Sequence, residues 1–112
     1  MMDRVDRLLN EIISFRNERD WKQFHTPENL AKSIVIEAAE LLENFQWGDS
    51  IKIDDVTDEL ADVLIYSLLM AESLNIDIEE IILTKLEKNR KRFPVDIVKG
   101  NSGKSTRVEI EE

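Results

Sequence analysis

Four carboxylates stand out because they interrupt apolar helical sequence. Glu37 and Glu40 sit in Ile34-Val35-Ile36-Glu37-Ala38-Ala39-Glu40-Leu41-Leu42, and Glu59 and Asp62 in Asp58-Glu59-Leu60-Ala61-Asp62-Val63-Leu64. Each pair is spaced i, i+3, so its members share one helix face. Like charges so placed repel, more strongly when partly buried, and something must compensate. Oxygen ligands without nitrogen or sulfur suit a hard cation, Mg²⁺ or Mn²⁺, which offsets the repulsion and keeps positions for water and phosphate oxygens. The competing reading is a solvated acidic face. Two such pairs, set among Ala, Leu, Ile and Val, weigh against it. A di-iron site needs Glu-x-x-His pairs, and His25, the sole histidine, falls outside both segments.

The elements that must position these acids read as helices. Val5, Leu8, Leu9, Ile12 and Phe15 keep one amphipathic face, which predicts a helix from about Asp3 to Glu18. An aromatic break with Trp21, Phe24 and His25 follows. Thr26-Pro27 is a helix start: a capping hydroxyl, then a proline where no N–H is needed. The second helix should run from Pro27 to about Gln46, before the turn residues Trp47-Gly48-Asp49-Ser50. A third, capped by Asp54 or Asp55, should run to about Leu74. Asp77-Ile78-Glu79-Glu80 has the form of a capping box for a fourth, which stops near Arg92, before Phe93-Pro94.

If helices 2 and 3 form an antiparallel hairpin, the Glu37/Glu40 midpoint lies roughly 11 Å from the connecting end and the Glu59/Asp62 midpoint roughly 9–10 Å. The four acids would then meet at one height. The expected fold is all-α, an antiparallel four-helix bundle. A domain over 1–94 would be followed by a polar C-terminal arm over 95–112, with a weak strand-like alternation at Arg107–Ile110. Helix 3 is apolar around most of its girth (Val63, Leu64, Ile65, Leu68, Leu69, Met70), which predicts burial on more than one side and hence a homo-oligomer.

Composition narrows the functions. The chain has 112 residues, 24 Asp+Glu against 15 Lys+Arg, and a net charge of −9. That argues against nucleic acid and against an anionic membrane as partner. With no cysteine, disulfides, thiol nucleophiles, zinc fingers and iron–sulfur sites are excluded. The opening residues have no signal-peptide character, and the longest apolar run, Val63 to Ala71, is about half a membrane span. A cytoplasmic protein is expected. Gly100-Asn101-Ser102-Gly103-Lys104-Ser105 ends like a phosphate-binding loop, but Val98 stands where the first glycine is required and no strand precedes it.

Taken together, Glu37-Ala38-Ala39-Glu40, an 18-residue gap and Glu59-Leu60-Ala61-Asp62 resemble the signature of the MazG-like all-α nucleoside triphosphate pyrophosphohydrolases. Arg19 through His25, Phe45-Gln46-Trp47, Asp62 through Tyr66, and Lys85 through Asn89 to Pro94 resemble the dCTP pyrophosphatase branch. The resemblance implies that Glu37, Glu40, Glu59 and Asp62 bind Mg²⁺ and act in catalysis. Water would attack the α–β phosphoanhydride, giving a nucleoside monophosphate and pyrophosphate. It also implies a substrate site drawn from Trp21, Lys22, Gln23, Phe24, His25, Trp47, Tyr66, Lys85, Asn89 and Arg92, with Lys104 a weaker match. Tyr66, four residues after Asp62, shares the acids' face.

Three departures touch base preference rather than the metal site. Ile12 stands where the animal dCTP enzymes carry a substrate-contacting histidine, the inter-motif loop is shorter, and Phe93 replaces Tyr. Family members of one domain are dimers or tetramers, so a homotetramer is expected, with a dimer as the fallback. Two alternatives stay open: a broader triphosphate pyrophosphatase of the same chemistry, including the phosphoribosyl-ATP type, and a non-catalytic acidic helical oligomerisation module.

Overall fold

A computed structural model describes residues 2–48 and 50–101. Every regular element among them is helical: α1 Arg4–Glu18, a 3₁₀ turn Lys22–Phe24, α2 Pro27–Glu43, α3 Ile53–Ser73, α4 Ile78–Arg92 and a short α5 Val95–Val98. Residues 102–112, with Lys104 and the Arg107–Ile110 alternation, lie outside the described residues. The chain divides into two compact units, residues 1–76 and residues 77–112.

Local chemistry sets most helix ends. The Asp3 carboxylate accepts from the Asp6 N–H at 2.8 Å, and the Thr26 hydroxyl accepts from the Asn29 N–H at 3.1 Å. Two expected boundaries differ. α2 ends at Glu43, not Gln46, because the Asn44 and Phe45 N–H groups turn back to the Leu41 and Leu42 carbonyls. α3 begins at Ile53 with Lys52 as its N-cap and no side-chain cap, so Asp54 and Asp55 lie inside the first turn rather than capping it. There they face the positive end of the helix dipole. Asp20 (φ 55°) and Asn75 (φ 54°) take the left-handed conformation after α1 and α3, which Asp and Asn tolerate better than most residues. Gly48, at φ 116°, supplies the same freedom between α2 and α3.

In the first unit α2 packs along α3, and α1 crosses onto α3. The core is small: Leu30, Leu69 and Ala71 are buried. The buried charge among them is Arg16, whose guanidinium Nη1 bonds the Glu72 carboxylate at 2.8 Å, tying α1 to α3. The aliphatic side chains of Val35, Ile36, Leu60 and Leu64 remain exposed, so the single chain leaves part of the apolar girth of α3 uncovered.

In the second unit the Asp77 carboxylate accepts from the Glu80 N–H at 2.9 Å and starts α4. The cations Arg90, Lys91 and Arg92 close it, favourably placed against the helix dipole. The polar arm expected from residue 95 begins with the helical turn α5, where the Ile97 and Val98 N–H groups bond the Pro94 carbonyl.

Candidate metal and nucleotide site

The α2–α3 hairpin brings the acids together as the register argument requires, with one difference. Glu37, Glu40 and Glu59 each offer a carboxylate oxygen within 4.8 Å of the others. Asp62 is not one of this trio. One turn further along α3, it acts on Glu37 and Glu59 through its charge and lines a neighbouring cavity.

The electrostatics are those of acids crowded in a partly dry place. Burial, then the Glu40, Glu59 and Asp62 carboxylates, raise the Glu37 pKa to about 7. Glu59 is raised by burial and by the charges of Glu40 and Asp62. Glu37 Oε2 and Glu59 Oε2 are buried with no hydrogen-bond partner. Unpaired carboxylate oxygens are costly to bury. A hard cation satisfies both and removes the repulsion, so the residues present fit a divalent metal.

Two openings flank the trio. One is an acidic cleft of about 730 Å³ at the connecting end of the hairpin, lined by Glu40, Glu43, Asn44, Gln46, Trp47, Asp55, Asp58 and Glu59. The other is a largely apolar cavity of about 410 Å³ between α1, the residues flanking the 3₁₀ turn, and α3; Glu11, Ile12, Phe15, Arg16, Trp21, His25, Asp62, Ile65, Tyr66 and Leu69 line it. Glu59, Asp62 and Tyr66 follow at i, i+3, i+7 on one face of α3, so cleft and cavity adjoin along that helix. Aromatic edges form the cavity wall. Trp21 stands edge-on to Phe15 (5.8 Å) and to His25 (6.4 Å), and His25 stands edge-on to Tyr66 (6.3 Å). Burial and the Arg16 charge lower the His25 pKa, which keeps the ring neutral. Burial, then the Glu37 and Asp62 charges, raise Tyr66, which stays a phenol.

The expected substrate residues therefore separate. Trp21, His25 and Tyr66 line the cavity, and Trp47 lines the acidic cleft, largely exposed. Lys22, Gln23 and Phe24 form the 3₁₀ turn and line neither opening. Gln23 is engaged by the Asp20 carbonyl and carboxylate. Lys85, Asn89 and Arg92 belong to the second unit, one stripe along α4.

The sequence reading missed Arg16, Glu11 and Phe15 in the cavity, and Glu43, Asp55 and Asp58 in the cleft. The signal for Arg16 was present: at i+4 from Ile12, it places a charge on the apolar face of α1. No local signal marks the cleft acids, which resemble ordinary solvated carboxylates.

The chain has relatives among known proteins. Residues 32–107 match the model of the MazG-like family. dCTP pyrophosphatase 1 of Mus musculus is 36% identical over 102 residues, 82% of this chain and 60% of the relative. The Homo sapiens protein of that name is 36% identical over 104 residues, 84% of this chain and 61% of the relative. The chain thus spans about 60% of the length of these curated relatives. A solved pyrophosphatase from Archaeoglobus fulgidus superposes with a TM-score of 0.78 at 40% identity, over 84% of this chain and 95% of that one. With its acids gathered on the α2–α3 hairpin and its sequence matched over most of its length, the chain belongs to the MazG-like family.

Proposed function

We propose that the protein is a Mg²⁺-dependent nucleoside triphosphate pyrophosphohydrolase acting on dCTP or a related pyrimidine deoxynucleotide, in the cytoplasm, to clean the nucleotide pool. The observation that carries the reading is the convergence of Glu37, Glu40 and Glu59, two of them with a buried unpartnered oxygen, beside an aromatic cavity. Water attacks the α–β phosphoanhydride and gives up a proton, the bridging P–O bond breaks, and a nucleoside monophosphate and pyrophosphate leave. When bound, Mg²⁺ neutralises charge on the phosphate oxygens.

The remaining work falls to the chain. Glu37 and Glu59, half-buried, would hold the metal together with Glu40, and Asp62 would complete the acidic set. Glu40, exposed and lining the open cleft, orients the attacking water from the solvent side. Trp21 and Tyr66 give the base a flat apolar slot. Lys85, Asn89 and Arg92 are the cations and amide we assign to the triphosphate.

The exposed Val35, Ile36, Leu60 and Leu64 support a homo-oligomer, which we take as a tetramer with a dimer as fallback; light scattering tests it. No helix among the described residues is long and apolar enough to cross a membrane. Pyrophosphate release from a panel of deoxynucleoside and nucleoside triphosphates, with Mg²⁺ and with EDTA, tests the function. Release from dCTP far above the rest, abolished by EDTA, is expected. Equal release across bases would favour the broad MazG type. No release and no melting shift with Mg²⁺ would leave a non-catalytic acidic module.

A further inference from the structure

The buried charge in the cavity wall has chemistry that metal binding and hydrolysis leave unused. Arg16 is 4% exposed, on a cavity otherwise lined largely by aromatic and aliphatic groups. Its Nη1 donates to Glu72 at 2.8 Å and its Nε to Asn17 Oδ1 at 3.1 Å. These bonds fix the guanidinium plane. Nη2 makes no hydrogen bond among the described residues, and Arg16 lines the cavity. His25 is its neighbour in charge and in space. Nδ1 of His25 is buried without a partner, which leaves Nε2 as the ring nitrogen available to a ligand. An orphaned N–H is rarer in proteins than an under-satisfied acceptor, so the tautomer we assign carries its proton on Nε2. The cavity therefore offers donors from Arg16 and His25 beside the Tyr66 hydroxyl, and the Glu11 and Asp62 carboxylates at its wall supply acceptors.

We propose that Arg16, with His25, reads the nucleobase, and that this pair selects an aminopyrimidine edge. A ring nitrogen with a free lone pair beside a carbonyl takes two donors, and the exocyclic amino group takes an acceptor. A base whose ring nitrogen carries hydrogen, as in uracil or thymine, sets donor against donor. The inference rests on the nucleotide reading above and deepens it by naming the group that selects the base. Glu72 and Asn17 act as positioning residues, because they hold the fork that Arg16 presents.

The test measures binding rather than turnover, so that the two readings fail separately. Calorimetric titration with dCMP and dUMP, without metal, is applied to the full chain. Wild type should bind dCMP roughly ten-fold tighter or more, the scale of one good base-edge contact. In the double variant R16M/E72L both charges leave together, which keeps volume and avoids an orphaned buried charge; its two affinities should fall within about two-fold of one another. Should that variant not fold, R16K replaces it, and the loss of the planar fork should erase most of the preference. Glu72→Gln retains the guanidinium and should retain the preference.

A wild type with no preference, or a folded R16M/E72L or R16K that keeps it in full, would overturn the inference. Selective dCMP binding by a protein that releases no pyrophosphate would support base reading while removing the hydrolase assignment. Pyrophosphate release without base preference would do the reverse.

Discussion

The Arg16 guanidinium and the Glu72 carboxylate meet at 2.8 Å between the last turns of α1 and α3, with the Arg16 side chain 5% exposed and that of Glu72 26%. Removing Glu72 leaves a nearly buried cation unpaired; removing Arg16 leaves a cavity and a half-dry carboxylate. Arg16→Ala should therefore cost about 2–3 kcal/mol, below the full figure for a buried pair because Glu72 is partly solvated. Urea denaturation of the purified variant checks this, and a loss under about 0.5 kcal/mol, typical of an ordinary surface change, would contradict the pairing.

Glu40→Gln and Glu59→Gln should each lower turnover by about 100-fold or more, given what lesser changes around metal ligands already cost. Helicity by circular dichroism should not change. Wild type should melt higher in Mg²⁺, following RT ln(1+[L]/Kd), and both variants should lose that increment. A variant that keeps the full Mg²⁺ shift would place the metal elsewhere.

The crowded acids predict a pH dependence whose sign follows from Glu37. Its pKa is raised from 4.5 to about 7 on folding. Between those values the folded chain holds more protons than the unfolded one, so this contribution to stability is complete below about pH 4.5. It is lost as pH rises through about 7. A bound cation takes the proton's place. The melting-temperature difference between Mg²⁺-saturated and metal-free protein should widen across that window and narrow in Glu37→Gln. A difference independent of pH would show that Glu37 does not face the metal.

Trp21 lines the cavity edge-on to Phe15 and His25. Trp21→Ala should weaken nucleotide binding by about 1–3 kcal/mol, the usual worth of an aromatic stacked on a base. It should raise KM more than it lowers kcat. Equal KM values for variant and wild type would take the base out of this cavity.

Leu30 is the most deeply buried side chain of the described residues, at 1% exposure. Leu30→Ala should cost about 2–4 kcal/mol, from lost transfer energy and an unfilled cavity. Val35→Ala on the same helix, exposed in the single chain, should cost under about 0.5 kcal/mol in an isolated chain. A markedly larger cost, growing with protein concentration in the melt, would report a subunit interface over that face.

The sequence by itself determined the helices and the acids on them. Thr26-Pro27 and Asp77-x-x-Glu80 are starts that local chemistry completes: the Thr26 and Asp77 side chains each accept the N–H three residues on. The i, i+3 spacing of Glu37/Glu40 and Glu59/Asp62 shares a face in any helix, and equal distances from the connecting end bring the pairs to one height. These properties depend on residues a few positions apart, so the chain records them directly.

Tertiary structure decided the rest. It drew Glu37, Glu40 and Glu59 within 4.8 Å and set Asp62 toward the cavity, since the rotation of α3 against α2 chooses among acids that share a face. It turned the charge on the apolar face of α1 into a buried fork by supplying Glu72, 56 residues away. It made Glu43, Asp55 and Asp58 the walls of one cleft. Each of these depends on which surfaces of distant helices meet, and side-chain packing sets that, not the spacing along any one segment.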